Sequence, residues 1–128
     1  MTTTRAHFIL YVEDQERSAA FYRAALGIAP RLHVPGMTEF EVAGAIVGLM
    51  PEKGIERLLG DALPAPSRAR GTPRSELYLV VTDPREAHAR ALAAGAKELS
   101  PVQPRDWGDE AGYVLDPDGH VLAFARPA

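Results

Sequence analysis

Two copies of one pattern constrain the fold of this chain more strongly than any other feature of its sequence. In each copy a run of aliphatic, β-branched and aromatic residues, 8–12 and 77–81, ends at a polar pair and leads into a segment with helical spacing. Aligning Val12 with Val81 also aligns Asp14 with Asp83, without a gap. The sequence therefore predicts two copies of one structural unit.

Each copy carries the signals of a capped helix after its first strand. Asp14 and Asp83 are well placed as N-caps, because a carboxylate can accept hydrogen bonds from the free amides of a first helical turn. In the second copy Pro84 falls at the first helical position, where proline is favoured. The predicted helices cover residues 17–26 and 85–94, and both stop at a glycine, Gly27 and Gly95.

Three short strand-like segments follow each helix, so that each half reads β-α-β-β-β and the fold class is α+β. The predicted strands are 31–34, 37–42 and 45–50 in the first half and 97–99, 112–115 and 120–125 in the second. Prolines and glycines are dense between the halves, which indicates a linker with one helical turn at 55–59. The halves must pack together, within the chain or with a second chain, because neither can bury its sheet alone. We predict a single domain, 1–128, with module one at 5–50, the linker at 51–74 and module two at 75–126.

The composition excludes several classes of function. A chain of 128 residues with 46% hydrophobic and 24% charged residues is expected to form one globular domain. Its net charge of −3 gives no electrostatic basis for binding nucleic acid or an anionic membrane. The lack of cysteine excludes disulfides, thiol catalysis and thiolate metal sites. We expect neither a signal peptide nor a membrane span, and therefore a cytoplasmic protein.

Three segments resemble the vicinal oxygen chelate superfamily, which contains glyoxalases, bleomycin-resistance proteins and extradiol dioxygenases. They are residues 10–27, with an acidic cap, Phe21-Tyr22 and Leu26-Gly27, then residues 73–78, and then Trp107-Gly108 with residues 113–120. The resemblance implies two βαβββ modules that form a curled, cup-shaped mixed sheet with helices on the outside. It also implies a small molecule bound in the cup and a homodimer. It does not fix the activity, because the family hosts lyases, dioxygenases, epimerases, thiol transferases and drug binders.

The resemblance also implies where a metal would be held. Enzymes of the family usually hold a divalent metal with one ligand from each of four strands, and two of these positions correspond to His7 and Glu76. The other two correspond to Gly48 and Ala123, whose side chains offer no donor atom. Two ligands are fewer than usually hold a catalytic ion, so no metal or other cofactor is predicted.

The favoured hypothesis is a metal-independent small-molecule-binding protein whose cup takes an apolar or aromatic ligand. Strand alternation places His7 and Glu76 on the face that lines the cup, and the small side chains at the missing ligand positions would enlarge it. Trp107 is expected either to stack on a flat ligand at the rim or to cap the core. The predicted ligand-binding residues are His7, Tyr11, Gly48, Glu76, Tyr78, Trp107, Tyr113 and Ala123.

Two alternatives remain open. One is a divalent-metal-dependent lyase, isomerase or dioxygenase acting on vicinal oxygens, with His7 and Glu76 as ligands and Glu39 or Glu41 replacing a missing one. The other is an interaction module whose cup is filled by its own side chains. The sequence does not show whether the cup forms within one chain or between two.

Four further side chains are assigned structural roles. His88 is expected to be exposed on the polar side of the second helix, and His120 to lie at an edge after a turn. The two acids Asp116 and Asp118 of the turn at 116–119 are expected to serve the turn rather than catalysis.

Overall fold

The structure, a computed structural model, describes residues 2–69 and 71–128 and confirms the α+β class with two repeated modules. Module one contains β1 (His7–Val12), α1 (Gln15–Leu26), β2 (Leu32–Val34), β3 (Met37–Val42) and β4 (Ala45–Pro51). The connecting segment carries α2 (Glu52–Leu59) and two short 3₁₀ turns, Gly60–Ala62 and Pro66–Ala69. Module two contains β5 (Glu76–Val80), α3 (Pro84–Ala93), β6 (Lys97–Pro104), β7 (Asp109–Leu115) and β8 (Val121–Pro127).

Each module forms its own four-stranded mixed sheet, and the two sheets have the same topology. The strand orders are β1-β4-β3-β2 and β5-β8-β7-β6. In both sheets the first strand pairs in parallel with the last, and the other pairs are antiparallel. The predicted repeat is therefore a repeat of strand pairing as well as of sequence.

The helix signals act as the sequence predicts, with small shifts of the boundaries. The Asp14 carboxylate accepts a hydrogen bond from the Arg17 amide at 3.1 Å, and the Asp83 carboxylate accepts one from the Glu86 amide at 3.1 Å. Each helix starts directly after its cap, at residues 15 and 84, slightly earlier than predicted. Gly27 ends α1 with a positive φ of 70°, which glycine adopts without strain.

The two modules share one hydrophobic core around α1 and α3, which pack against each other. The buried core residues are Val12, Ala19, Phe21, Tyr22, Ala25, Phe40 and Leu49 from module one and Ala87, Ala91, Val114, Leu122 and Phe124 from module two. Polar bonds also cross the interface: the Tyr22 hydroxyl donates to Asp116 at 2.6 Å, and the Ser18 hydroxyl donates to Asp118 at 2.7 Å. Apolar burial and two hydroxyl–carboxylate hydrogen bonds thus hold the modules together.

The prediction that His88 is exposed is wrong. Its exposed fraction is 6%, because α3 turns this residue toward β7 at Gly112. A Cβ at Gly112 would lie 2.6 Å from the His88 Nδ1, so the imidazole occupies the space that the glycine leaves. Neither ring nitrogen has a hydrogen-bond partner among the described residues, and Nε2 lies 3.5 Å from a Glu98 carboxylate oxygen.

Within residues 2–69 and 71–128, none of the helices combines the length and the apolar character that a bilayer span requires.

Candidate functional site

The candidate residues lie mainly on the sheet faces that point away from the helices, which we call the open faces. On module one, Ile9 and Glu39 flank Gly48 in the strand register, so their side chains share one face. On module two, Tyr78 and Tyr113 flank Ala123 in the same way. Gly48 and Ala123 therefore occupy equivalent central positions in the two sheets.

His7 lies beside Glu39 on the open face of module one. Its Nδ1 is 3.6 Å from a Glu39 carboxylate oxygen, and its Nε2 accepts a hydrogen bond from the Arg5 guanidinium at 2.8 Å. The Arg31 guanidinium forms an ion pair with the same Glu39 carboxylate at 2.9 Å. Both side chains are therefore already held by arginines of their own module.

The space expected above Gly48 is filled. A Cβ at Gly48 would lie 3.2 Å from the Met37 sulfur and 3.3 Å from Cγ1 of Ile9, so these two side chains lean over the glycine. Gly48 itself is buried. The prediction that this position enlarges a ligand pocket is therefore wrong for the single chain, because flexible apolar neighbours close over a glycine that lacks a side chain.

On the open face of module two, hydrogen bonds link two aromatic side chains and a carboxylate. The Tyr78 hydroxyl donates to the Asp109 carboxylate at 2.6 Å, and the Trp107 indole nitrogen donates to the Tyr78 hydroxyl at 3.0 Å. Trp107 is 54% exposed, so it does not cap the core, which was one of its two predicted roles. The neighbouring Ala123 is fully buried, so its side chain is not accessible to a ligand in the single chain.

Two further groups shape the same face. The Arg105 guanidinium carbon lies 5.3 Å from the centroid of the Tyr113 ring, within the range of a cation–π contact. Burial raises the pKa of the Tyr113 hydroxyl, and the nearby Glu76 charge raises it further. Burial and the hydrogen bond to Asp109 likewise raise the pKa of Tyr78. Both hydroxyls therefore stay protonated near neutral pH and can donate hydrogen bonds.

Sequence reasoning missed Asp109 and Arg105, which hold the aromatic groups in place. Their spacing from Trp107 is short, two residues on either side. A search for charged residues flanking the tryptophan in the loop before β7 would have found both. The register of β7 against β8, on which their position depends, is not visible in the sequence.

The donor set does not fit the divalent metal of the superfamily that the sequence resembles. Gly48 and Ala123 supply no side-chain donor. Among residues 2–69 and 71–128, no three or more His, Cys, Asp or Glu side chains are grouped closely enough to hold an ion. His7 and Glu39 are adjacent but form only a pair, and the contacts of His7 lie within module one.

Two cavities open next to the unpaired edges of β1 and β5. The larger, of about 640 Å³, is lined mostly by aliphatic side chains of both modules and includes Glu76 and Tyr78. The smaller, of about 440 Å³, lies between β1, the connecting segment and the β7–β8 turn, and includes Tyr11. The predicted residues are thus divided between two open faces and two cavity walls rather than collected in one enclosed cup.

Comparison with known proteins gives one family. The family model of the Glyoxalase/Bleomycin resistance protein/Dioxygenase superfamily matches residues 4–124. An uncharacterized protein of Mycobacterium bovis is 30% identical over 122 residues, covering 92% of this chain and 80% of its own length. An uncharacterized protein of Mycobacterium tuberculosis H37Rv is also 30% identical over 122 residues, covering 92% of this chain and 71% of its own.

Solved structures agree with this family. A glyoxalase-related enzyme from Fulvimarina pelagi superposes with a TM-score of 0.81 at 29% identity, covering 94% of this chain and 86% of that one. A glyoxalase/bleomycin resistance protein/dioxygenase family enzyme from Burkholderia phytofirmans PsJN has a TM-score of 0.81 at 16% identity, covering 96% and 98%. The second likeness concerns the fold alone.

Proposed function

Because the chain belongs to the glyoxalase/bleomycin resistance protein/dioxygenase superfamily, we propose that it binds an apolar or aromatic small molecule without the help of a metal ion. The ligand lies on the open face of module two, against Tyr78, Trp107 and Tyr113. Metal independence is supported by Gly48 and Ala123, which replace two of the four donors with side chains that cannot coordinate.

The arrangement of Trp107 carries this proposal. A tryptophan that is more than half exposed is normally free to move, but here its indole nitrogen is anchored to Tyr78, which is anchored in turn to Asp109. An indole held in one orientation offers a stacking surface at low entropic cost. A few fixed polar groups on an otherwise apolar surface are typical of small-molecule sites.

A second copy of the chain completes the site in this proposal. Large apolar side chains are exposed on both open faces, among them Ile9, Val34, Val80 and Trp107. Among the described residues, each sheet has two edge strands, β1 and β2 in module one and β5 and β6 in module two, so each also presents unpaired edges. Covering these surfaces with a partner removes apolar area from water and encloses the ligand. Native mass spectrometry tests this assembly: a homodimer is expected, and a monomer at micromolar concentration contradicts it.

Fluorescence of Trp107 tests the binding function directly, because it is the only tryptophan of the chain. Titration with a panel of polycyclic aromatic antibiotics is expected to quench or blue-shift its emission and to raise the melting temperature. Tyr78→Phe keeps the ring but removes the anchor of the indole, and it should weaken binding. Tyr11→Phe, on module one, is the matched control. A panel that leaves both emission and melting temperature unchanged contradicts the proposal.

The proximity of His7 and Glu39 favours one alternative, a metal-dependent lyase, isomerase or dioxygenase. These are two ligand-type side chains 3.6 Å apart on one open face. Retention of one equivalent of a divalent ion, lost in His7→Ala, would support this alternative over metal-free binding.

A further inference from the structure

A histidine–aspartate pair is fixed in the turn between β7 and β8. The His120 Nδ1 lies 2.8 Å from the Asp116 carboxylate, whose side chain is fully buried. That carboxylate also accepts hydrogen bonds from the Tyr22 hydroxyl at 2.6 Å and from the backbone amides of Asp118 and His120 at 2.8 Å. Because the Asp116 carboxylate accepts all of these hydrogen bonds, the Nδ1 atom of His120 is the one that carries the proton toward it. The Nε2 atom, on the other side of the ring, points away from the carboxylate.

The imidazole of His120 lines the smaller cavity, the one of about 440 Å³. We call this space the linker cavity, because several described residues of the connecting segment, from Leu63 to Ala69 and from Gly71 to Ser75, form much of its wall. Its apolar lining comes from Ile9, Leu10, Tyr11, Leu63, Pro64, Pro66 and Pro73. Arg74 also lines it, so two nitrogen donors border a mainly apolar space.

Three acids act on His120 beside the linker cavity. Both Asp118 oxygens are already used, one by the Glu13 amide and the Arg17 guanidinium and the other by the Ser18 hydroxyl. Glu52 lines the cavity and adds negative potential at His120. Burial by itself would lower the pKa of His120, but Asp116, Asp118 and Glu52 outweigh burial and raise it. These acids therefore favour the protonated form of the imidazole, in which both ring nitrogens donate.

We infer that the linker cavity binds a small carboxylic acid with an apolar body, whose carboxylate accepts hydrogen bonds from His120 Nε2 and from the Arg74 guanidinium. Charge-assisted bonds of this kind are stronger than neutral ones. Proline-rich walls are stiff, so they lose little conformational entropy when an apolar ring enters. Tyr78, Trp107 and Tyr113 do not line this cavity, so the inference stands independently of the proposed function on the open face.

Benzoate is the probe for this site, and its uncharged isostere benzamide is the control ligand. In ¹H–¹⁵N correlation spectra at pH 6.5, benzoate is expected to shift the amides of Gly71, Thr72 and Gly119, which line the cavity. Benzamide should bind at least about tenfold more weakly, as judged from the concentration at which these amides shift. The reason is that benzamide has no charge to pair with the two donors.

Two arginine variants distinguish benzoate binding in the linker cavity from nonspecific attraction of anions to the protein. Arg74→Ala is expected to weaken benzoate binding about tenfold, whereas Arg68→Ala, an exposed arginine of the same segment that does not line the cavity, should leave it unchanged. His120→Ala should weaken benzoate binding to a similar extent. In the unaltered protein the affinity for benzoate should fall at alkaline pH as His120 loses its proton, and this fall should be absent in His120→Ala. Equal binding of benzamide, an equal effect of the two arginine variants, or no shift at millimolar benzoate would overturn the inference.

Discussion

Tyr22 of α1 donates a 2.6 Å hydrogen bond to Asp116 of the β7–β8 turn, and this bond joins the two modules through their shared core. Burial raises the pKa of the Tyr22 hydroxyl, and the Asp116 charge raises it further, so the phenol remains a donor. The same carboxylate orients His120. One buried acid thus serves module packing and the linker cavity together.

Tyr22→Phe is expected to lower the free energy of unfolding by about 1–3 kcal/mol. The change preserves the ring but leaves the buried Asp116 carboxylate without one of its donors, and an unpaired buried acceptor carries most of that cost. Urea denaturation measures the effect. Tyr11→Phe is the control, because Tyr11 is only half-buried, and a change below about 0.5 kcal/mol is expected there. Equal effects of the two variants would refute a special role for the bond to Asp116.

Gly112→Ala is expected to destabilise the protein by about 1–3 kcal/mol, because it overpacks a filled interior. The new Cβ would lie 2.6 Å from both the His88 Nδ1 and the Val102 Cγ2, which is closer than atoms in van der Waals contact, so the surrounding side chains must shift. Gly48→Ala, on the open face of module one, is the comparison variant. Its Cβ would meet a flexible Met37 sulfur at 3.2 Å, so a cost below about 1 kcal/mol is expected. Thermal denaturation compares the two.

The Asp116–His120 pair predicts a stability maximum between mildly acidic and neutral pH. Burial would raise the pKa of Asp116, but hydrogen bonds from His120 and Tyr22 lower it below its ordinary 3.8, so its contribution is lost as the pH falls through that lowered value. The pKa of His120 is raised above 6.5, so its contribution is complete below 6.5 and is lost as the pH rises through the raised value. His120→Asn should remove the alkaline loss and also weaken the acid one, because His120 is the main group that lowers the pKa of Asp116. Urea midpoints measured from pH 3 to 9 give both limbs.

Tyr78→Phe is expected to loosen the Trp107 indole without unfolding the chain. The variant removes the hydroxyl that accepts from the indole nitrogen, so fluorescence anisotropy of Trp107 should fall and its quenching by acrylamide should rise. Asp109→Asn keeps an acceptor for Tyr78 and serves as the milder variant. An unchanged anisotropy in Tyr78→Phe would show that the indole is held by other contacts.

Incubation with Ni²⁺, Zn²⁺, Co²⁺, Mn²⁺ or Fe²⁺ followed by desalting is expected to leave well under one equivalent of metal per chain. The reason is that His7 and Glu39 form only a pair and are both engaged by arginines. Plasma mass spectrometry gives the metal content. His7→Ala should match the unaltered protein, and stoichiometric retention that disappears in this variant would favour the enzyme alternative.

The sequence predicts those parts of the fold that local signals specify. Helix caps depend only on the nearby backbone, so the sequence alone predicts their positions. This holds for Asp14, Asp83 and the glycine after α1. The strand-like segments predict the element order β-α-β-β-β in each half. The structure confirms this order, with boundaries that differ by a few residues.

The features that the sequence did not reveal depend on contacts between distant segments. His88 is flanked by arginines in the sequence, yet a glycine on β7 makes room for it in the interior. Met37 closes over Gly48 from the neighbouring strand, which no composition rule indicates. Asp116 was read as a turn residue, and it is one, but its role as a buried acceptor for Tyr22 requires knowledge of how the modules meet.

The bonds between α1 and the β7–β8 turn make the two halves complementary rather than interchangeable. Where α1 has Ser18 and Tyr22, the repeat alignment gives α3 only Ala87 and Ala91, and the turn of module one, Ala43-Gly44, has no acid. A pair of first halves would lack acceptors, and a pair of second halves would lack donors. These hydrogen bonds therefore form only between a first half and a second half, whether the two halves belong to one chain or to two.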